Sequence, residues 1–503
     1  MMFRLLFCTG LCLVGFSLVS TAATIAEKDS NGAVKADLRY EIMLKGEHRI
    51  HVKLVYTPVE RDSTVFVYGE PLFGGQKNIS KCLMGVKAEA PAKIKADWPQ
   101  RRLTVYYRGK KPVTIEYDIA DEGVRDKDSK SELYRPVIQK NYLFCHGINL
   151  FLRPLFMSST GVIQSVQWSK KPAYPVFFSY EPSNRGDKPY TGGVNDFMFC
   201  LLTGAVNMTV DNIKTGNTTA WIVLNTNVMR EENRKAVMEY VRRYYSNLRS
   251  FWNDNEVSDF SFVLQPFRWS GQSIGGVAFD NGFVAKYSSE GGMILSEGRE
   301  FTLSHEMCHR WIGSDGINAG ITNLWFTEGF DDYVTYYTLL LSKLMTPEQF
   351  AVEFNRRTMQ SHYGSSVKNI PNSKVLDNYW KLGDYNRLPY RRGCLFAFWL
   401  DNRITMATGG KKDIRDFLLT LKNISIKKEP GTVITKTDFI KAASEYVPAD
   451  IIEKAYDRYI LAGDPILFTS KMLLPCYGIS YNGNIPKLII KDRKAFLKKF
   501  ERK

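Results

Sequence analysis

Histidine is scarce in this chain, which contains only six among its 503 residues. Long apolar runs are also scarce: none of about 18 residues follows the amino-terminal segment, which excludes a later membrane-spanning helix. The absence of internal repeats and low-complexity stretches excludes repeat and disordered classes. What is present is 44% apolar residues, enough for large packed cores in a chain long enough for about two to four domains.

Cysteine is sparse and widely spaced. Of eight cysteines, two lie near the amino terminus, and the other six lack the spacing of a disulfide framework. Those six are Cys82, Cys145, Cys200, Cys308, Cys394 and Cys476. Their even number permits disulfides in an exported protein, and the sequence leaves the pairing open. Cys308 lies within the histidine motif described below and is interpreted as a buried thiol.

The first 23 residues have the order of a secretory signal. One positive charge at Arg4 precedes the apolar run Leu5–Val19, and small residues follow at 20–23. The sequence therefore predicts a signal peptide at 1–23 and a secreted or periplasmic protein. Large residues stand directly before Cys8 and Cys12, where a lipoprotein signal needs a small one, so lipid anchoring is not expected.

Basic residues outnumber acidic ones, 68 to 52, which gives a formal net charge of +16. They are scattered, with denser groups at 108–111 and 487–503, and no aromatic residues alternate with a basic stripe. We interpret them as solvated surface residues and expect no nucleic-acid partner.

Two different periodicities divide the chain. From about Val34 to Val223 short β-branched segments alternate between turn residues, as Ile50–Tyr56 shows, which predicts an antiparallel β-sandwich or saddle. Helical spacing begins near residue 228, and the chain is again mostly helical after 395. The sequence predicts a multidomain α+β protein with an amino-terminal β domain at 24–220, an α/β catalytic domain at 221–395 and a helical domain at 396–503.

The sharpest motif is His305-Glu306-Met307-Cys308-His309. Residues four apart on a helix lie on one face, so both imidazoles can bind one metal ion. Glu306 is displaced by about 100° around the helix, out of the ligand set but near the open coordination position. These residues predict two metal ligands and a general base.

A catalytic zinc needs a third protein ligand beside water. Glu328 follows His309 by nineteen residues, at the start of another apolar helical stretch. The sequence predicts one Zn²⁺ per chain, held by His305, His309 and Glu328. Asp332, four residues further along the same face, is predicted to hydrogen-bond a ligand histidine.

These motifs resemble the gluzincin metallopeptidases and, more closely, the glycyl aminopeptidase family. The resemblance extends from the β region to about Tyr481 and is most specific between 275 and 405. The segments that carry it are His305–Trp311, Leu324–Phe330, Tyr390–Gly393 and Leu400–Ile404. It implies a thermolysin-like catalytic domain, a peptide or protein substrate, and a transition-state tyrosine at Tyr390, for which Tyr385, five residues earlier, is a weaker substitute.

Two departures from the family pattern affect substrate binding and domain content. In the family, a Gly-rich edge strand binds the substrate, and it maps onto Gly275, Gly276, Val277 and Ala278 of this chain. Ala278 takes the position at which family members have a glutamate that holds the free amine of the substrate. Asp280 is the nearest acid, so aminopeptidase and endopeptidase modes both stay open. About 20 residues follow Tyr481, too few for the PDZ domain that relatives often carry, and we expect that domain to be absent.

Two alternatives come from other classes of protein. The stretch 271–275 matches the Gly-x-Ser-x-Gly elbow of serine hydrolases around Ser273, but that elbow needs a strand before the serine and a helix after it. The second alternative is an inactive metal- or peptide-binding relic of the peptidase fold. Retention of the base, the ligands and Tyr390 argues against the relic.

Overall fold

A computed structural model gives the fold of this chain. It describes residues 36–59, 62–70, 78–120, 135–155, 162–180, 190–192, 197–215, 218–225, 229–254, 260–267, 274–279, 282–288, 295–313, 316–379, 383–429 and 431–501. The predicted signal segment 1–23, Ser273 and Asp280 lie outside these residues. The chain divides into two compact units, one comprising Ser20–Ala236 and Val257–Ile294, the other Val237–Glu256 and Leu295–Lys503.

The first unit is built from β-sheets. Its strands are β1 (Ala36–Leu44), β2 (Arg49–Thr57), β3 (Ser63–Val67), β4 (Leu83–Ala88), β5 (Lys93–Asp97), β6 (Arg102–Tyr106), β7 (Val113–Ala120), β8 (Val137–Gln139), β9 (Tyr142–His146), β10 (Arg153–Pro154), β11 (Val162–Lys170), β12 (Val176–Phe178), β13 (Tyr190–Gly192), β14 (Leu201–Ala205), β15 (Met208–Thr215), β16 (Thr218–Asn225), β17 (Phe260–Phe267), β18 (Ile274–Phe279) and β19 (Gly282–Ser288). Short 3₁₀ helices occur at Ile79–Cys82 and Gly147–Asn149.

These strands form four sheets. The largest has the order β13-β11-β1-β2-β7-β4, and two four-stranded sheets have the orders β10-β3-β6-β5 and β12-β14-β9-β8. Pairing in the largest sheet is antiparallel except between β1 and β11, which run parallel. In β2 buried side chains alternate with half-buried ones, the period of two that the sequence predicted.

The fourth sheet of this unit is mixed, with the order β15-β16-β17-β19-β18. Strands β16, β17 and β19 run parallel, while β15 and β18 are antiparallel to their neighbours. Strand β18 lies at one end of this order and pairs Gly276 with Ala285 and Ala278 with Phe283. Because β18 begins at Ile274, directly after Ser273, a strand follows that serine where the hydrolase elbow needs a helix.

The second unit is mainly helical. Its helices are α1 (Glu231–Phe251, which begins in the first unit), α2 (Glu297–Cys308), α3 (Leu324–Thr327), α4 (Gly329–Leu341), α5 (Pro347–Glu353), α6 (Ser361–Tyr363), α7 (Asn372–Asn378), α8 (Gly383–Ala407), α9 (Ile414–Ser425), α10 (Lys436–Ala443), α11 (Ala449–Ala455) and α12 (Arg493–Phe500). Two π-helices, Phe354–Gln360 and Tyr456–Leu461, continue α5 and α11. The 3₁₀ helices Ile321–Asn323 and Ser470–Met472 complete the helical elements described in this unit.

The β-sheet amino-terminal region and the helical carboxy-terminal part confirm the predicted α+β class. One difference is the antiparallel hairpin of β20 (Tyr477–Asn482) and β21 (Ile485–Ile490), in a region predicted as helical. The side-chain amide of Asn355 holds this hairpin: its Nδ2 donates to the Leu488 carbonyl at 2.8 Å and its Oδ1 accepts from the Leu488 N–H at 2.7 Å. No helix within the described ranges combines the length and apolar character needed to cross a membrane.

A buried ion pair attaches the carboxy-terminal helix α12 to the rest of its unit. Lys499 on α12 donates to the carboxylate of Asp401 on α8, and both residues are buried. The hydroxyl of Tyr333 on α4 donates to the same carboxylate, and the N–H of Ile414 donates to its second oxygen at 3.0 Å. One carboxylate thus links α4, α8, α9 and α12.

Replacing Lys499 by Met tests the energetic importance of this link. Removing one partner leaves the Asp401 charge buried, which costs about 3–5 kcal/mol, so we expect a loss of that size in the free energy of unfolding, measured in urea. The matched control is Lys498→Met, because Lys498 is exposed on the same helix. Equal unfolding midpoints for the two variants would contradict the proposed role of the ion pair.

Candidate metal centre

The two motif histidines lie one turn apart on α2. His309 is the residue at the carboxy-terminal end of this helix and keeps helical backbone angles, φ −58° and ψ −16°. The two imidazoles turn their Nε2 atoms toward each other, 3.1 Å apart. Both residues are buried, as is every neighbour from Leu303 to Cys308, so the nitrogen atoms meet in an environment largely free of water.

Glu328 completes a triangle of donor atoms. It lies between α3 and α4, and its Oε2 is 3.4 Å from His305 Nε2 and 3.7 Å from His309 Nε2. Ligands about 2.0–2.1 Å from a tetrahedral zinc ion are about 3.3 Å from one another. The three separations therefore suit zinc-sized coordination with no movement of the helices.

The hydrogen bonding of Glu328 gives an independent test of this fit. Its Oε2 is buried and, among the residues that the structure describes, has no hydrogen-bond donor in good alignment. Burial raises the pKa of Glu328, but the adjacent imidazoles of His305 and His309 and the hydroxyl of Tyr390 more than offset this effect and hold that pKa below its usual value. An ionised, buried carboxylate facing two imidazoles needs a cation, so these residues fit zinc.

Two further carboxylates lie on the opposite, Nδ1 side of the histidines. His305 Nδ1 is 2.9 Å from Asp332 Oδ1 and 3.0 Å from Asp331 Oδ2, while Asp331 Oδ1 is 3.7 Å from His309 Nδ1. Burial raises the pKa of Asp331 to about 6. Burial also lowers the pKa of His305, but the facing carboxylates Asp331, Asp332 and Glu328 more than offset it and hold that pKa well above its ordinary value.

Asp331 is itself close enough to both histidines to be considered as a metal ligand. His305, His309 and Asp331 form a group whose potential ligand atoms lie within 4.8 Å of one another. However, the shortest contacts of Asp331 are to Nδ1 atoms, whereas both Nε2 atoms converge on Glu328. The two nitrogens of one imidazole point in different directions, so a metal bound at the Nε2 atoms would lie beside Glu328. Asp331 lies on the Nδ1 side, where it can hold the imidazole rings in place.

Glu306 and Tyr390 adjoin the same centre. Glu306 follows His305 on α2 and is buried. Tyr390 lies on α8, and its ring stacks on the His305 ring with centroids 5.8 Å apart and an interplanar angle of 26°. The structure therefore brings Tyr390 to the donor triangle from a third helix, 62 residues along the chain from Glu328.

Two glycines set the distance between the helices that carry Glu328 and Tyr390. A Cβ on Gly393 would lie 1.6 Å from the Trp325 carbonyl oxygen, and a Cβ on Gly329 would lie 2.4 Å from Gly393 Cα. Backbone therefore touches backbone between α4 and α8, which only glycine permits. Gly329 directly follows Glu328, and Gly393 is about one turn after Tyr390, so this contact limits the distance between the backbones that carry these two side chains.

A buried hydroxyl network holds α2 in place. The hydroxyl of Tyr240 lies 2.6 Å from Ser304 Oγ, and that of Tyr244 lies 3.2 Å from Cys308 Sγ and 2.7 Å from Thr338 Oγ1. Cys308 is a buried free thiol, as predicted, and burial raises its pKa. The other five cysteines among the described residues are also free and buried.

The structure thus brings His305, His309, Glu328, Asp332 and Tyr390 together in the second unit, and Glu306 follows His305 on α2. The residues from Gly275 to Ala278 belong to β18 of the first unit, and Asp280 lies outside the described residues. The sequence analysis missed Asp331. A signal for it was present, because Asp331 and Asp332 follow Glu328 by three and four residues, the two spacings that share a helix face.

Comparisons with known proteins add the fold relationship. No protein-family model and no curated protein match the chain. Among solved structures, an aminopeptidase N family protein from Idiomarina loihiensis matches with a TM-score of 0.67 at 15% identity, over 87% of this chain and 77% of that one.

Two structures of a mutant M1 zinc metallopeptidase from Deinococcus radiodurans also match. The first gives a TM-score of 0.47 at 12% identity, over 88% of this chain and 96% of that one. The second, with a Tyr-Ser-Ala substrate bound, gives 0.47 at 14% identity, over 86% and 95%.

The class that fold and site define is therefore an α+β chain with the fold of an aminopeptidase N family protein and a buried His-His-Glu centre. At 15% sequence identity this similarity establishes the fold alone.

Replacing Gly393 by Ala tests the glycine contact. The added methyl group overlaps the Trp325 carbonyl, and overpacking of this kind costs about 1–3 kcal/mol or more. We expect a matching fall in the free energy of unfolding, measured in urea. The control is Gly383→Ala on the same helix, where a Cβ meets nothing within 4 Å. Equal stability of the two variants would show that α4 and α8 do not need their close approach.

Proposed function

We propose that this chain is a zinc metallopeptidase. The observation that carries the proposal is the triangle of His305 Nε2, His309 Nε2 and Glu328 Oε2, with sides of 3.1–3.7 Å, beside Tyr390 and Glu306. When bound, zinc would lower the pKa of a water molecule to about 7 and polarise the substrate carbonyl. Proton transfer and further stabilisation of the oxyanion would be carried out by side chains of this chain.

Glu306 is the proposed general base. A carboxylate next to the ligand set takes the proton of the attacking water and then delivers it to the departing amine. The buried position of Glu306 on α2 supports this role, because a dry surrounding strengthens its electrostatic effect on the reacting atoms. His305, His309 and Glu328 are the proposed ligands that hold the metal in place beside it.

Tyr390 is the proposed donor to the oxyanion. Its hydroxyl bonds to the Glu328 carboxylate and lowers the pKa of that group, so the phenol reaches the ligand set. A substrate carbonyl that becomes tetrahedral there develops negative charge, and a fixed O–H donor stabilises it. The contact between Gly329 and Gly393 supports this arrangement, because it keeps the helix that carries Tyr390 close to Glu328.

The substrate is proposed to be a peptide or protein, and Gly275, Gly276, Val277 and Ala278 on β18 stay the residues predicted from the sequence to bind it. The resemblance to the family pattern predicts that Ala278 replaces the amine-binding glutamate, and a methyl group cannot pair with an ammonium ion. We propose that the free amine of a peptide is not required. The narrower relation to glycyl aminopeptidases, the three-domain division, export and the absence of a PDZ domain stay predictions.

The inactive relic is the weaker reading of the same fold. A chain that had lost catalysis would be under no constraint to keep a general base, three metal ligands and a tyrosine in the same unit. Here all five side chains are present in the second unit, which favours an active enzyme.

Cleavage of one peptide library with free and with acetylated N-termini tests the function and its mode. We expect chelation to abolish cleavage and Glu306→Gln, which retains the zinc ligands, to lower it about 10²–10⁴-fold. We expect internal cleavage of acetylated peptides at rates close to those of free ones. Cleavage restricted to free N-termini would assign an amine-binding role to another acid, such as Asp280. No zinc-dependent cleavage of any peptide would refute the proposal.

Replacing Tyr390 by Phe removes only the phenolic hydroxyl. Loss of one oxyanion donor costs about 10²–10³-fold in kcat, and we expect KM and bound zinc to change little. Steady-state kinetics and metal analysis of the purified variant measure both. The control is Tyr385→Phe on the same helix, which should leave kcat unchanged. A Tyr390→Phe variant with the parent kcat would remove Tyr390 from the mechanism.

A further inference from the structure

We propose that Asp331 is a positioning residue shared by the two metal-binding histidines. The inference rests on the proposed zinc site and extends it, since it concerns how this chain holds the imidazoles ready for the metal. It is carried by the place of Asp331 between the two rings, on the side opposite to Glu328.

The geometry gives each oxygen of Asp331 a separate histidine. Oδ2 is 3.0 Å from Nδ1 of His305, and Oδ1 is 3.7 Å from Nδ1 of His309. Neither oxygen has a hydrogen-bond donor in good alignment among the described residues, and the side chain is fully buried. Within that part of the chain, the carboxylate therefore faces the two imidazoles and no other donor.

A carboxylate in this place determines which nitrogen carries the proton. A neutral imidazole has one N–H, and a negative charge beside Nδ1 favours the proton there. The lone pair then stays on Nε2, which faces the metal. For His309 the Ile312 carbonyl, 3.3 Å from Nδ1, acts in the same direction. Asp331 thus orients both lone pairs toward the donor triangle.

Asp332 differs from Asp331 in two respects that make it a matched comparison. Its contact within the centre is with His305, at 2.9 Å, and its side chain is 18% exposed. Loss of Asp332 leaves Asp331 beside both rings, whereas loss of Asp331 leaves His309 without a carboxylate among these Nδ1 contacts. The two positions should therefore differ in their effect on metal affinity.

The experiment measures the zinc dissociation constants of the purified full-length chain and of Asp331→Asn and Asp332→Asn, by competition with a chromophoric chelator. An amide has one acceptor oxygen, so the side chain introduced by Asp331→Asn can serve one ring while its NH₂ opposes the N–H of the other. We expect this substitution to weaken zinc binding about 10–100-fold, and more than Asp332→Asn does. Asp331→Ala, measured beside it, should weaken binding at least as much.

Cobalt(II) substitution provides a second measurement that reports on ligand geometry. We expect the visible absorption band of the Co²⁺ form to change in Asp331→Asn while the far-UV circular dichroism stays that of the parent. Parent-like zinc affinity in both Asp331 variants, or a loss no larger than that of Asp332→Asn, would overturn the inference and leave the peptidase proposal standing. A parent chain that binds no zinc would overturn both, and a loss of affinity in a chain without peptidase activity would support Asp331 while refuting the enzyme.

Discussion

The second unit is organised around one geometric constraint: two imidazole nitrogens and one carboxylate oxygen lie 3.1–3.7 Å from one another in a buried interior. No single helix can supply all three atoms with this geometry, because its one-turn spacing is already used by the histidine pair. The third atom must come from another helix. That helix must be held at a fixed distance from the first. Backbone contact between α4 and α8 and buried hydroxyl groups between α1, α2 and α4 provide such rigid connections.

Charge imposes a second requirement on the same space. Glu328, Asp331 and Asp332 lie around two histidines, and Glu306 follows on the next position of α2. Buried carboxylates repel one another and lose solvation, so such a cluster is stable only with cations at its centre. The raised pKa values of His305 and Asp331 express this excess of negative charge and the burial that accompanies it. A divalent ion placed at the Nε2 atoms would meet a site whose electrostatic potential already favours it.

Sequence reasoning succeeded where the determining distances are local. The spacing of His305 and His309, the alternation in β2 and the helical period of α1 follow from repeats of a few residues, and these segments are helical or extended as predicted. The contacts that could not be read from the sequence are long-range: Gly393 with Trp325, Lys499 with Asp401, and Asn355 with Leu488. Each depends on how helices pack, which no local period encodes. Asp331 lies between these two cases. Its spacing from Glu328 could be read from the sequence, but its contacts with His305 and His309 could not.

The same distinction explains why this fold is recognisable in three dimensions at 15% identity while no family model or curated protein matches the sequence. The proposed chemistry constrains only the metal-binding side chains, the general base, the phenol and the glycines that bring their helices together. The apolar positions around them must keep volume and pattern, which many combinations of residues satisfy. A chain can therefore exchange most of its core and keep both the fold and the buried centre. A change at a position that contacts substrate is of a different kind. We propose that Ala278 replaces an amine-binding glutamate, and because such a replacement removes a charge, we expect it to alter function rather than stability.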